Sequence, residues 1–275
     1  MRVFFIGRRF LPWVVGGMTV SLLWLGFWQG RILYRLTLAQ PTTVRIALVI
    51  DDFGGYAAGV QAMMDLPFPL TFAVMPFEEF AGKQAEQAIA KGHEVLVHLP
   101  FEAYSADPSW YGKYYITTST PGPEISRLIQ EAFRILPMAT GMNNHMGSLA
   151  TGDSRVMGQV LTELSKLNRF YLDSCTAKNS PVPQLVSRQN LPLIQRDIFL
   201  DEQAGENWIR SRLRDLVERA RSRGQAVGIG HVGPGGPLLA RILREEIPVY
   251  QKQGCQFVHL SELVHAKLIK PSSSI

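Results

Sequence analysis

Beyond residue 43 the chain alternates short apolar runs with longer amphipathic, charge-bearing segments. The runs are Ile46–Ile50, Leu70–Val74, Glu94–Leu99, Ala139–Asn144, Phe170–Ser174, Pro192–Asp197, Ala226–His231 and Gln256–Leu260. Several place apolar residues consecutively rather than alternately, as strands covered on both faces do. Between them lie helical patterns such as EEFAGKQAEQAIAKG, SRLIQEAFRIL, DSRVMGQVLTELSKL and ENWIRSRLRDLVERARSRG. Asp153 stands where an N-cap belongs, and Gly92 and Gly224 where helices should stop. This order predicts βα units around a parallel sheet. Residues Tyr104 to Pro123, rich in aromatics, Thr and Pro, predict a long loop over one end of that sheet.

The first forty residues follow another pattern. Arg2, Arg8 and Arg9 precede Phe10 to Gly30, an uncharged stretch about long enough to cross a bilayer as a helix. Arg31 and Arg35 come before any small-residue cleavage site, which favours an uncleaved anchor over a signal peptide. The basic flank predicts that this end stays in the cytoplasm and the rest lies outside, anchored in the inner membrane of a bacterial envelope. The expected organisation is therefore an anchor with linker over 1–40 and one globular domain over 41–270.

Composition changes this picture little. A formal charge of +5 suggests nucleic acid, but the densest cations, from Arg210 to Arg223, read as a solvated helix face, so no nucleic-acid partner is expected. With only Cys175 and Cys255, neither a disulfide framework nor a thiolate zinc site is implied; the two pair or stay free.

The candidate chemistry stands at the strand ends, which in a barrel of parallel strands form one rim. The first run ends in Asp51-Asp52, the third in His98, the fourth in Asn143-Asn144-His145, the fifth in Asp173, the sixth in Arg196-Asp197 and the seventh in His231. Burying Asp51 and Asp52 unpaired would cost several kcal/mol, so a polar or cationic partner is expected beside them. His93, His259 and His265 lie off this rim and are assigned to structure.

The segments VIDDFGG, LTFAVMPF, GHEVLVHLPFE, TGMNNHMGS, FYLDS, RDIFLD and GIGHVGP, in this order over nearly all of Val44 to Leu263, resemble the divergent polysaccharide deacetylase family. The resemblance implies a distorted (β/α)7 barrel and a divalent metal, usually zinc, used to remove N- or O-acetyl groups from a polysaccharide. It also implies Asp51 as general base, Asp52 and His98 as metal ligands, and His231 as the acid that protonates the leaving group. Better-known deacetylases carry a second histidine, or in some cases another residue, four positions after the first, where this chain has Glu102.

Elementary chemistry agrees with that outline. Hydrolysis of an amide or ester needs an activated water and a stabilised oxyanion, and a zinc ion with an open position supplies both. One of two adjacent carboxylates then ligates while the other takes the proton, provided the strand has ended, since within a strand they point to opposite faces. The third ligand is either Glu102 or His145; a set of two imidazoles and one carboxylate favours His145, whose alternative is a hydrogen bond to Asn143 or Asn144. Asp173 and Asp197 are candidates to orient His231 or hold Arg196. Two other functions fit the same residues less fully: a catalytically silent carbohydrate-binding or envelope-assembly protein, and an inverting glycosidase, which needs two carboxylates facing across a cleft.

Overall fold

The structure, a computed structural model, describes residues 43–189 and 191–269. The segment Phe10–Gly30, expected to span the membrane, lies outside them, and no helix among the described residues is long and apolar enough to cross a membrane.

Strand β1 (Val44–Phe53) organises the sheet. It pairs with β8 (Gln225–His231) from Arg45 to Asp51, with β9 (Cys255–Val258) near its start and with β2 (Thr71–Val74) near its end, always in parallel. From β2 the sheet continues through β3 (Glu94–Phe101), β4 (Gly141–Met146), β5 (Phe170–Asp173) and β6 (Ile194–Gln195), while β7 (Ile198–Phe199) extends it beyond β8. Of the run expected as one strand, Pro192–Asp197, only Ile194–Gln195 is strand, and β7 begins beyond it at Ile198. Arg196 N–H donates to Asp173 O on the β5 side, and Asp197 N–H donates to Val227 O on the β8 side. One stretch of chain therefore leaves one edge of the curled sheet and joins the other, which distorts the expected parallel α/β barrel at this seam.

The curl divides the apolar residues into two layers. Ala47 and Val49 of β1, Ala73 of β2, Leu96 of β3, Leu172 of β5 and Val227 and Ile229 of β8 pack together inside. Their neighbours out of phase, Ile46, Leu48 and Ile50, Phe72, Val95 and Val97, Met142 and Tyr171, face the helices instead. A strand's period of two thus tells which residues look into the barrel.

The helices are α1 (Val60–Met64), α2 (Ala81–Ala90), α3 (Gly122–Ile135), α4 (Ser154–Lys166), α5 (Val182–Arg188), α6 (Glu206–Arg223), α7 (Gly236–Lys252) and α8 (Leu260–Ile269). In α3 the buried residues Ile125, Leu128, Ile129, Ala132 and Phe133 recur at helical spacing and form its core stripe. Asp153 caps α4 by accepting from Arg155 N and Val156 N, and Gly224 ends α6 at φ +84°, as expected from the sequence. Helix α7 begins at Gly236 and carries Pro248 inside it. The long loop is not wholly irregular: it holds a 3-10 turn over Pro108–Tyr111 and returns to pair Ile116 with Phe101. Both cysteines are free.

Candidate metal and catalytic site

Asp51 follows Ala47 and Val49 in phase, so its side chain points into the mouth of the barrel. Asp52 would by the same period face the helices. The expectation that the strand ends before this pair is not met, since β1 runs on to Phe53. The chain solves the problem differently: Asp52 takes φ +70°, and the β1–β2 register shifts between Ile50 and Phe53. This left-handed residue turns the second carboxylate back to the side of the first. Asp and Asn bear that conformation better than most residues. Gly54, at φ +114°, continues the turn where a Cβ would stand 2.6 Å from Met75 O.

The other residues arrive from strands that a flat sheet would keep apart. β1 and β4 lie three strands apart, about 14 Å in a flat sheet, yet Asn143 Nδ2 donates to Asp51 Oδ1 at 2.9 Å. His98, in phase with Leu96 on β3, and His145, in phase with Asn143 on β4, reach over β2 to the same point. Asp52 Oδ1 stands 3.2 Å from His98 Nε2 and 2.9 Å from His145 Nδ1, and the two ring nitrogens are 3.2 Å apart.

Asn143 decides what His98 presents there. Its amide nitrogen serves Asp51, so its Oδ1 accepts from His98 Nδ1–H at 2.7 Å. The neutral ring then offers a lone pair on Nε2. A carboxylate oxygen and two imidazole nitrogens, all able to ligate, converge on one place. Ligands about 2.1 Å from a tetrahedral zinc stand about 3.4 Å apart, close to the separations seen here. The donor set fits a divalent metal.

The electrostatics point the same way. Burial alone would raise the Asp52 carboxyl, but hydrogen bonds from His145 and His98 hold it well below the usual aspartate value. Burial opposes charge on His98, yet the Asp51 carboxylate and the contacts with Asp52 draw its pKa up. The field at this point favours positive charge, whether a proton or a metal carries it. Asp51, only 2% exposed, is pushed upward by burial against the pull of His98. A carboxylate so placed is a better proton acceptor than one in water.

His231 is the partner of Asp51 in the β1–β8 ladder and shares its phase. Its Nδ1–H donates to Asp201 Oδ1 at 2.9 Å, and its main-chain N–H donates to Asp201 Oδ2 at 2.8 Å. Burial opposes its charging, but the Asp201 bond outweighs this and raises its pKa to about 9. Asp201, not Asp173 or Asp197, is thus the carboxylate that holds His231. The break at Arg196-Asp197 moves the end of that strand to Phe199, so the rim carboxylate is Asp201, the last residue of RDIFLD.

The other candidates are placed elsewhere. Glu102 does not join the cluster: the loop that returns to Phe101 puts Thr118 beside it, and its carboxylate accepts from Thr118 N–H and Oγ1–H. Asp173 is out of phase with Leu172 and accepts from Cys175 N–H and Ser180 Oγ–H, so it does not orient His231. Asp197 turns to Val227 N–H and Arg223. Asn144, also out of phase, accepts from Tyr171 Oη–H and donates to Met146 O, leaving the bridging role to Asn143. Arg196 donates to the carbonyls of Ser174 and Cys175 rather than to Asp173 or Asp197. His93 and His259 contact the carbonyls of Met64 and Gly92, away from the mouth.

The sequence pattern of the family described as divergent polysaccharide deacetylase matches residues 48–264, which span every strand carrying these side chains. The chain belongs to that family. The protein YibQ of Escherichia coli (strain K12) is 32% identical over 213 residues, 77% of this chain and 65% of YibQ. This chain thus spans just under two thirds of that relative's length. A Haemophilus influenzae protein is 30% identical over 190 residues, covering 69% of this chain and 67% of its own. Among solved structures, protein ATU2773 of Agrobacterium tumefaciens C58 shares the fold with a TM-score of 0.72 at 22% identity, over 81% of this chain and 89% of that one.

If His231 acts as a proton donor, Asp201→Asn should lower its pKa from about 9 toward the ordinary histidine value. The acid is active while protonated, so activity should hold below that pKa and fall above it. The variant should lose activity at lower pH than the parent, read from the alkaline limb of kcat/KM. An unmoved limb would remove His231 from that role.

Proposed function

We propose that this chain is a metal-dependent deacylase that removes N- or O-acetyl groups from a polysaccharide of the bacterial envelope or one exported through it. The observation that carries the reading is the meeting of Asp52, His98 and His145 at one point, with Asp51 and its ladder partner His231 on the adjoining strands β1 and β8. Zinc is the proposed metal, because two imidazoles and a carboxylate suit its preferences. When bound, it lowers the pKa of a water and polarises the acyl carbonyl. Asp51 takes the proton from the attacking water, and Asn143 keeps both Asp51 and His98 oriented. His231, held by Asp201, returns a proton to the departing amine or alcohol. A sugar polymer is supported by the aromatics on the same rim: Tyr56 is 91%, Tyr104 77% and Trp110 59% exposed, on the loops after β1 and β3. Exposed aromatic clusters beside a site serve ligands that are partly apolar and partly polar, as sugar rings are.

The proposed location is outside the inner membrane, with residues Phe10–Gly30 as anchor. Protease added to spheroplasts should then digest the domain while the cytoplasm stays intact. A protected domain would remove this assignment.

The test of function is direct. Purified without a histidine tag, the full chain should carry about one zinc per molecule and release acetate from acetylated chitooligosaccharide, peptidoglycan or exopolysaccharide. The second reading, a silent glycan-binding or assembly protein, draws on Glu102, which replaces the expected histidine and is committed to Thr118. Binding of one of these glycans with no acetate release would establish that reading instead.

A further inference from the structure

Arg196 is held more firmly than an ordinary surface arginine. Its Nε–H donates to Ser174 O at 2.7 Å and its Nη2–H to Cys175 O at 3.3 Å, two carbonyls just past the end of β5. The guanidinium carbon stands 3.7 Å from the centre of the Phe199 ring. That ring is 5.7 Å from the His231 ring, so the guanidinium is one aromatic ring away from the proposed proton donor.

No carboxylate answers its charge at ion-pair distance among the described residues. The acids near enough to influence it are Glu202, Asp173 and Asp197. Asp173 is engaged by Cys175 and Ser180, Asp197 by Val227 and Arg223, and Glu202 is exposed. By contrast, Arg210 and Arg241, on the outer helices, are each paired with more than one glutamate. A half-buried permanent cation without a counter-charge is costly, and such a cost is met where an anion is to be bound.

The geometry says how that anion would sit. Arginine has five N–H donors in a planar fork. The Nε–Nη2 edge is spent on the two carbonyls, while the Nη1–Nη2 edge still presents one donor from each nitrogen. Such an edge takes the two oxygens of a carboxylate or phosphate in parallel. We infer that Arg196 is a specificity-determining residue that binds an anionic substituent, carboxylate or phosphate, on the acylated sugar or its neighbour. This deepens the deacylase reading and rests on it for the word substrate.

The experiment compares three acetylated oligosaccharides of equal length: one neutral, one bearing a uronic-acid carboxylate and one bearing a phosphate. Calorimetry measures binding to the full chain, and acetate release is followed separately. The parent should bind one of the anionic probes at least about 10-fold tighter than the neutral one, the range of a hydrogen bond to a charged group. Which probe gains identifies the anion. Arg196→Gln should abolish the preference and leave neutral-probe affinity unchanged, raising KM for the anionic probe with little change in kcat. Arg196→Lys keeps the charge without the fork, so it should retain part of a phosphate preference and little of a carboxylate one. If the Gln variant does not fold, a full carboxylate preference in the Lys variant overturns the fork. No anion preference in the parent, or an undiminished one in Arg196→Gln, overturns the inference and leaves the deacylase reading standing. An anion preference abolished by Arg196→Gln, with no acetate released from any probe, keeps the subsite and removes the deacylase reading.

Discussion

Asp52→Asn should leave the fold intact and abolish both metal binding and acetate release. Asn adopts positive φ as readily as Asp, so the turn at φ +70° survives the change. What is lost is the charge that His98 and His145 gather around. Partners outside a metal's first contacts already contribute 10–100-fold to affinity; removing a direct anionic ligand should cost at least ~10²-fold. Zinc titration followed by calorimetry, with melting temperature as the control for folding, reads the result. A variant that keeps zinc at parental affinity would place the metal elsewhere.

Asp51→Asn should give the opposite combination. Asp51 Oδ2 lies 3.9 Å from His98 Nε2, outside the closest contacts of the cluster. An asparagine there still offers an oxygen to Asn143 Nδ2–H, so the His98 tautomer is preserved. Zinc should therefore remain bound while acetate release falls by ~10²–10⁴-fold, the usual contribution of a positioned general base. The pair of variants separates the two adjacent carboxylates, one by metal content and the other by rate alone. Parental activity in Asp51→Asn would show that the proton goes to another group.

Strands β1, β3, β4 and β8 could be located from the sequence because apolar runs give way to polar residues there, although β1, β3 and β4 run on past the expected ends, and those strands carry Asp51, Asp52, His98, His145 and His231. What the sequence did not give was phase. Asn143 and Asn144 are adjacent and chemically alike, and only the alternation set by inward-facing residues assigns Asn143 to the mouth and Asn144 to the helices. The same alternation turns Asp173 away from His231. Asp201 was hidden for another reason: past the seam at Arg196-Asp197 a further strand, β7, begins where none was expected, and no periodicity announces a two-residue strand. The inward turn of Asp52 was equally silent, since it rests on one backbone angle. Glu102 was legible as a departure, but its engagement with Thr118 depends on a loop that closes back on Phe101.

Placing β1 at the centre of the sheet also governs when the domain can fold. Its partners are β2, close in sequence, and β8 and β9, close to the other end of the chain: Arg45 pairs with Gln225 and Val44 with Cys255. Until those last strands exist, one whole edge of β1 and half of the other have nothing to pair with, and Ile46 to Ile50 have no complete core. Contacts so distant in sequence make folding slow, because much of the chain must be gathered before they repay the loss of freedom. A nascent chain therefore cannot complete this sheet until its synthesis is nearly finished. Such a chain is exposed to aggregation while it waits, so its yield should depend on chaperones that shield its apolar strands as well as on the stability of the finished domain.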